Sequence, residues 1–371
     1  MKKILVFVSS DLCTDNRVHR TCQAIHELGY EVQLYGRRKK NSPALDKRSY
    51  FTKQIKMVFQ KGPLFYAALN IRFFLIGIFS SFHLLYSNDL DTLPACYLVS
   101  QIRRKKIIYD SHELFTEAPE LIHRPKIQRI WERIEQYIFP KLQYVITVNE
   151  SIALEFQKRY GLKPKVIRNV PSKIKHPLII SKASLGIQEN NSILIIQGSG
   201  LNVERGIEEA VLAMKNVKNA VLVLVGDGDV LPKVKKMVSD HQLEKKVRFF
   251  GRRSYEDMMA ITRLASIGLA LDKPLSLNYK YALPNKLFDY IHASTPILCS
   301  GLIEIERIVE KYEIGKVVNE ISPESIANAI NELLSNPSRL EQMQFNCQKA
   351  ALIENWENEK KTLVELLNSI Q

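Results

Sequence analysis

The sequence predicts an α/β chain folded as two doubly wound, Rossmann-like domains facing a central cleft. Three observations predict it. Short apolar runs alternate with helix-forming stretches in each half of the chain, the pattern of parallel sheets covered on both faces. The 371 residues exceed one ordinary core, so two domains are the default. The composition, 46% hydrophobic and 25% charged, is that of a globular chain and not a disordered one.

Taken in order, Ile4–Val8 reads as a first buried strand. Met1-Lys2-Lys3 before it resembles the start of a signal peptide, but Ser9, Ser10 and Asp11 end the apolar run too soon. Arg17–Leu28 reads as a helix stopped by Gly29, followed by a strand over Glu31–Tyr35. Leu84–Ser87, Lys106–Asp110 and Tyr144–Val148 read as further strands, and Val166–Ile167 as a last short one entering a turn. A Lys-, Ser- and Pro-rich stretch over 173–191 is the expected linker. The second half restarts with strands at Ser192–Gln197, Ala220–Val225, Val247–Phe250, Ile267–Leu271 and Ile297–Ser300. Helices are expected over Arg205–Met214, over Val230–Ser239 and after Pro284. Trp356, Lys360, Leu363, Leu367 and Ile370 lie on one face of a terminal helix. The expected domains are 1–172 and 192–350, with 351–371 as that helix.

Cysteine usage and charge bound the function. The five cysteines are scattered with no Cys-x-x-Cys pair, which suggests neither a disulfide framework nor a zinc site and fits a reducing compartment. Residues 1–175 hold 30 Lys+Arg against 15 Asp+Glu, whereas the remainder holds 23 against 24, so the net +14 lies on the first half. Nucleic acid and an anionic membrane both attract such a surface. No nucleic-acid motif is present, and the aromatic residues form one block instead of interleaving with the basic clusters. That block, Pro63 to Leu85, is densely apolar, but Asn70 and Arg72 near its middle argue against a membrane span. An interfacial helix and a plain core helix both fit it.

The residues after the second-half strands carry the chemistry. Pro284 and Asn285 read as a turn opening a helix, with Lys286 in its first turn and Asp289 one turn later. Backbone N–H groups and an ammonium there suit an anion, with a carboxylate nearby for hydroxyls; an ordinary capped helix start fits as well. Gly198-Ser199-Gly200 follows a strand, but Val203 stands where a dinucleotide fingerprint needs its third glycine, which argues against a nicotinamide dehydrogenase. A loop in which Arg205 and Gly206 open a helix toward phosphate fits better. Gly226-Asp227-Gly228 ends a further strand, as a ligand-facing edge or a tight turn.

In order, the motifs are Asp15-x-Arg17-Val18, Tyr109-Asp110-Ser111-His112-Glu113-Leu114, Ile146-Thr147-Val148-Asn149-Glu150, Ile167-Arg168-Asn169-Val170-Pro171, Gln197-Gly198 through Arg205-Gly206-Ile207-Glu208-Glu209-Ala210, Val225-Gly226-Asp227-Gly228, Phe249-Phe250-Gly251, and Pro284-Asn285-Lys286-Leu287-Phe288-Asp289-Tyr290. This series resembles the family 4 glycosyltransferases with the two-domain B fold. The resemblance implies a retaining, metal-independent transferase with no cofactor beyond its nucleotide-sugar substrate. It implies that Arg205 and Lys286 stabilise a leaving diphosphate and that His112 lies at the active site. Gly198, Gly206, Gly226, Gly228, Gly251, Arg252, Pro284, Asn285 and Asp289 would bind the donor, and Asp15, Asn16 and Arg17 would face the acceptor. The terminal helix would cross back to the N-terminal domain.

Several positions depart from that family's pattern. Ser9-Ser10-Asp11 replaces a Gly-Gly acceptor loop, and Ser199 and Gly200 hold the place of a second basic residue. Tyr281 stands for the first of two glutamates eight apart, and Ser294 for a glycine. The expected function is transfer of a hexosyl unit to a lipid-linked saccharide acceptor in surface polysaccharide biosynthesis. The basic domain would dock peripherally on the cytoplasmic face of the membrane, and no nucleic-acid partner is expected. A catalytically weak binding subunit and a nucleotide-sugar epimerase of the same fold are the alternative readings.

Overall fold

In a computed structural model of the chain, every residue is described except Met1, Asn41, Ile174, Lys175, His176, Ser199 and Gln371. The chain divides into two compact units. The first comprises Met1–Asn169 with Glu359–Gln371, and the second Val170–Asn358. The described part of the Lys/Ser/Pro-rich stretch thus groups with the second unit, and the last residues group with the first.

The first unit's apolar runs form β1 (Lys3–Asp11), β2 (Glu31–Arg38), β3 (Phe51–Lys56), β4 (Leu84–Asn88), β5 (Lys106–Ser111), β6 (Tyr144–Thr147) and β7 (Lys165–Val166). All pair in parallel, in the order β3-β2-β1-β4-β5-β6-β7. Helices α1 (Asn16–Glu27), α2 (Pro63–Phe79), α3 (Leu93–Arg103), α4 (Pro119–Ile122), α5 (Pro125–Ile138) and α6 (Glu150–Tyr160) connect them. Every residue of β4 is buried, as both-face covering requires. β3 was not legible in the sequence. It is an edge strand whose Phe51 is half exposed and whose other positions are mostly Lys, Gln and Thr.

The second unit contains β8 (Ser192–Gly198), β9 (Ala220–Gly226), β10 (Val247–Gly251), β11 (Ile267–Ala270), β12 (Ile297–Ser300) and β13 (Gly315–Val318), parallel in the order β10-β9-β8-β11-β12-β13. Its helices are α7 (Ile207–Ala213), α8 (Leu231–Asp240), α9 (Tyr255–Arg263), α10 (Leu277–Lys280), α11 (Asn285–His292), α12 (Ile303–Tyr312), α13 (Pro323–Leu334) and α14 (Pro337–Ile353). The core on one side of this sheet joins Leu194, Leu222 and Leu269 to Val211, Val234 and Ile330 from the helices. β13, a second edge strand, was also missed by the periodicity, and α7 starts two residues later than expected.

The terminal helix α15 (Trp356–Ile370) begins in the second unit and buries Leu363, Leu366 and Leu367. Within the first unit Glu359 accepts from the backbone N–H of Arg168 at 2.7 Å, and Lys106 Nζ donates to Ile370 O at 2.8 Å.

Both sheets reverse their strand order once, between β1 and β4 and between β8 and β11. In such sheets ligands collect outside the carboxyl ends of the strands at the reversal. Those two edges hold most of the predicted site residues.

Candidate functional site

In the second unit the chain leaves β8 at Gly198 and β9 at Gly226, which are register partners. Gly226 has φ +136°, and a Cβ there would lie 1.8 Å from Gly198 O, so only glycine fits. Ser199, which the family comparison of the sequence singles out, lies outside the described residues. Gly206 caps α7 in the left-handed region at φ +69°, where a Cβ would meet Leu271 O at 2.4 Å. This close approach brings the end of β11 against the loop that carries Arg205. Lys273 N donates to Glu204 O at 2.9 Å and straps the two segments together.

The contact places Asp272 between two cations. Arg205 Nη1 donates to Asp272 Oδ1, and Lys286 Nζ lies 2.8 Å from Asp272 Oδ2. The Asp272 side chain is fully buried, Lys286 is 10% exposed and Arg205 25%. Burial alone would raise the Asp272 pKa, but the Lys286 and Arg205 charges outweigh it and hold the carboxyl below its usual value. Arg205 also lies over the Tyr279 ring, 4.6 Å from its centroid. Pro284 caps α11 without a side-chain hydrogen bond, which leaves the first-turn N–H groups of Asn285 and Lys286 without an intrahelical partner. Two cations, a helix N-terminus and closely packed backbone therefore converge at one sheet edge. Such an arrangement stabilises an anion.

Lys286 and Asp289, one turn apart, do not pair. Asp289 is 8% exposed, and its Oδ1 accepts from Tyr255 Oη at 2.9 Å and its Oδ2 from Gln197 Nε2 at 3.3 Å. Gly228 sits in the turn after β9, and its N–H donates to Asp227 Oδ1 at 2.9 Å. Arg252 follows Gly251 on the exposed loop after β10 and pairs with Asp227 at 3.2 Å.

In the first unit a second cluster forms at the carboxyl ends of β1, β4 and β5. Asp15 caps α1, with Oδ1 accepting from Val18 N at 2.9 Å, and Ser10 Oγ donates to its other oxygen. Asn16 is exposed beside it. Arg17 is turned away from solvent at 6% exposure. Its Nη2 donates to Asp110 Oδ1 at 2.7 Å and its Nη1 to Ile167 O at 2.8 Å, a different placement from the acceptor-facing one expected of it. Tyr86 Oη donates to the other Asp110 oxygen at 2.9 Å.

His112 stands between two carboxylates. Its backbone N–H donates to Asp89 Oδ1 at 2.8 Å, Nδ1 lies 3.1 Å from Asp89 Oδ2, and Nε2 lies 3.5 Å from Asp110 Oδ2. Burial lowers the imidazole pKa, but Asp89 and Asp110 more than reverse this and raise it to about 10. The ring is therefore cationic at neutral pH and acts as a donor, not as a base. Asp91 next to it is buried, and burial followed by the Asp89 charge raises its carboxyl to about 7.

Sequence reasoning missed Asp89, Asp91, Asp272 and Tyr255, and it gave Gln197, which stands in one of the motifs, no role. The available signal for Asp89 and Asp272 was an acidic residue directly after a buried apolar strand at the same edge as the predicted motifs.

The family described as Glycosyltransferase Family 4 matches residues 15–172, and that described as Glycosyl transferases group 1 matches residues 180–350. No curated protein sequence matches the chain. Among solved structures, sucrose-phosphate synthase from Thermosynechococcus elongatus is similar at 18% identity and TM-score 0.80, over 100% of this chain and 99% of that one. A glycosyltransferase from Rickettsia africae matches at 14% identity and TM-score 0.79, over 100% and 98%. HepE from Anabaena in complex with UDP matches at 16% identity and TM-score 0.75 over the whole of both chains, and its complex with UDP-glucose at TM-score 0.74. These likenesses show the fold.

Proposed function

The chain belongs to the family 4 type of glycosyltransferases with the two-domain B fold, and on that premise we propose that it transfers a hexosyl unit from a nucleotide-sugar to a saccharide acceptor. The transfer retains anomeric configuration and uses no metal ion. The observation that carries the reading is the convergence of Arg205 and Lys286 on Asp272 beside the N-terminus of α11. In the reaction the bond from the anomeric carbon to the β-phosphate oxygen breaks. The acceptor hydroxyl oxygen bonds to that carbon, and its proton passes to the departing diphosphate. Without a metal, the developing phosphate charge needs cations and N–H donors, which Arg205, Lys286 and the first turn of α11 supply.

Asp289 is assigned to the ribose hydroxyls, Gly198, Gly206, Gly226, Gly228, Gly251 and Arg252 to the rest of the donor, and Asp15 and Asn16 to the acceptor. His112 is assigned a catalytic role as a cationic donor, and Arg17 holds its partner Asp110 in place. The acceptor is a lipid-linked saccharide at the cytoplasmic membrane face, in surface polysaccharide assembly. Support comes from the basic first half of the sequence, which anionic lipid attracts.

HepE binds UDP and UDP-glucose, which makes uridine sugars the first donors to try. The test is incubation with a panel of nucleotide sugars with and without EDTA, followed by NMR of the product. Retained configuration and EDTA-insensitive turnover are expected. Failure to bind or cleave any donor, with or without membranes, overturns the enzyme reading, and a product that is still nucleotide-linked points to an epimerase. Arg205→Ala and Lys286→Ala should each lower turnover by roughly 10²-fold.

A further inference from the structure

Helix α2 is apolar on two opposite sides. Phe65, Leu69, Phe73 and Gly77, at spacings of four, are buried. Leu64, Ile71, Leu75 and Phe79 fall on the other side and are 61, 60, 48 and 82% exposed. A helix apolar all round is normally buried in a core or in lipid. This one has 17 residues, and among the described residues no helix is long and apolar enough to cross a membrane. Its outer face therefore lacks the cover that its composition calls for.

The neighbouring helix extends the same surface. A Cβ at Gly77 would lie 2.8 Å from Val99 Cγ2, so the glycine lets α3 pack closely on α2. Leu98 and Ile102 of α3 are 53 and 61% exposed. Arg103 Nη1 donates to Ile78 O and joins the carboxyl ends of the two helices. Phe79 and Ile102 thereby stand at the end that carries the run Arg103-Arg104-Lys105-Lys106. Lys61, Arg72 and Arg104 are exposed around the apolar residues. No Asp or Glu occurs between Asp46 and Asp89 or between Asp91 and Asp110, so neither helix carries a carboxylate.

We propose that the outer face of α2 and α3 docks on an anionic bilayer. Leu64, Ile71, Leu75, Phe79, Leu98 and Ile102 enter the boundary between headgroups and acyl chains, and the surrounding cations meet lipid phosphates. Charge selects this occupant. A second copy would set these cations against themselves, whereas an anionic lipid surface complements every charge on the face. The proposal rests on the reading that the acceptor is lipid-linked, and it names the surface through which the protein reaches it.

Co-sedimentation with vesicles tests it, using phosphatidylcholine alone and phosphatidylcholine mixed with phosphatidylglycerol. The wild type should bind the anionic vesicles and weaken as salt rises. Ile71→Ser with Phe79→Ser should weaken that binding by about tenfold or more, while Leu352→Ser with Ile353→Ser, which removes two exposed apolar side chains from the second unit, should leave it unchanged. Nucleotide-dependent thermal stabilisation of each variant reports that it is folded and is independent of lipid. Equal vesicle binding by both double variants, absence of wild-type binding at low salt, or self-association through this face without vesicle binding overturns the proposal. If lipid binding fails while a nucleotide sugar is still turned over, docking is refuted and the transferase reading stands. Lipid binding without any nucleotide response gives the reverse.

Discussion

Asp272 had no role in the sequence reading, yet both cations predicted to face phosphate, Arg205 and Lys286, converge on it. Arg205 and Lys286 were legible because each stands at a helix start after a strand, where phosphate chemistry expects a positive charge. Asp272 was not, because its importance depends on Gly206 letting one loop approach another. Replacing it with Asn leaves two partly buried cations uncompensated, which should destabilise the protein by roughly 3 kcal/mol in denaturant titrations. Added pyrophosphate should restore part of that loss. His112 makes a pH prediction. Its folded pKa of about 10 lies above the ordinary 6.5. The stabilisation it provides is complete below pH 6.5 and is lost as pH rises toward 10. The stability gap between wild type and His112→Gln, measured by denaturation across this range, should be flat below pH 6.5 and shrink above it. A gap that grows with pH would contradict a cationic His112.

At the scale of elements, periodicity revealed the buried strands and the helix after Pro284, because burial on both faces and a proline start leave strong local signals. It missed β3, an edge strand with little apolar content, and β13, an edge strand of only four residues. It also left α2 undecided between core and interface, and the structure shows why: four residues face inward and four outward, so both patterns coexist in one helix. Packing also sets the start of α7. Gly206→Ala would force a Cβ toward Leu271 O in a left-handed backbone, and the Arg205 loop would have to move away from Asp272. Nucleotide affinity should then fall along with stability. Affinity equal to the wild type would mean that the close approach has no part in the site.

Across the whole molecule, the charge division is the feature that sequence alone made most visible: the excess of Lys and Arg lies entirely in residues 1–175. The division into two units was legible for the same reason that the strands were, since a strand–helix alternation that restarts marks a second sheet. The order of strands, and with it the two reversal points that gather the motifs, came only with the structure. The central claim is that the second unit binds a nucleotide diphosphate through Arg205 and Lys286. The most direct measurement is thermal unfolding of the wild type and of Arg205→Ala with Lys286→Ala across a panel of nucleoside diphosphates and their sugars. At saturating ligand, at least one should raise the wild-type Tm by about 2 °C or more, and the double variant should lose the shift. No shift from any nucleotide, or the same shift in the double variant, would contradict the claim.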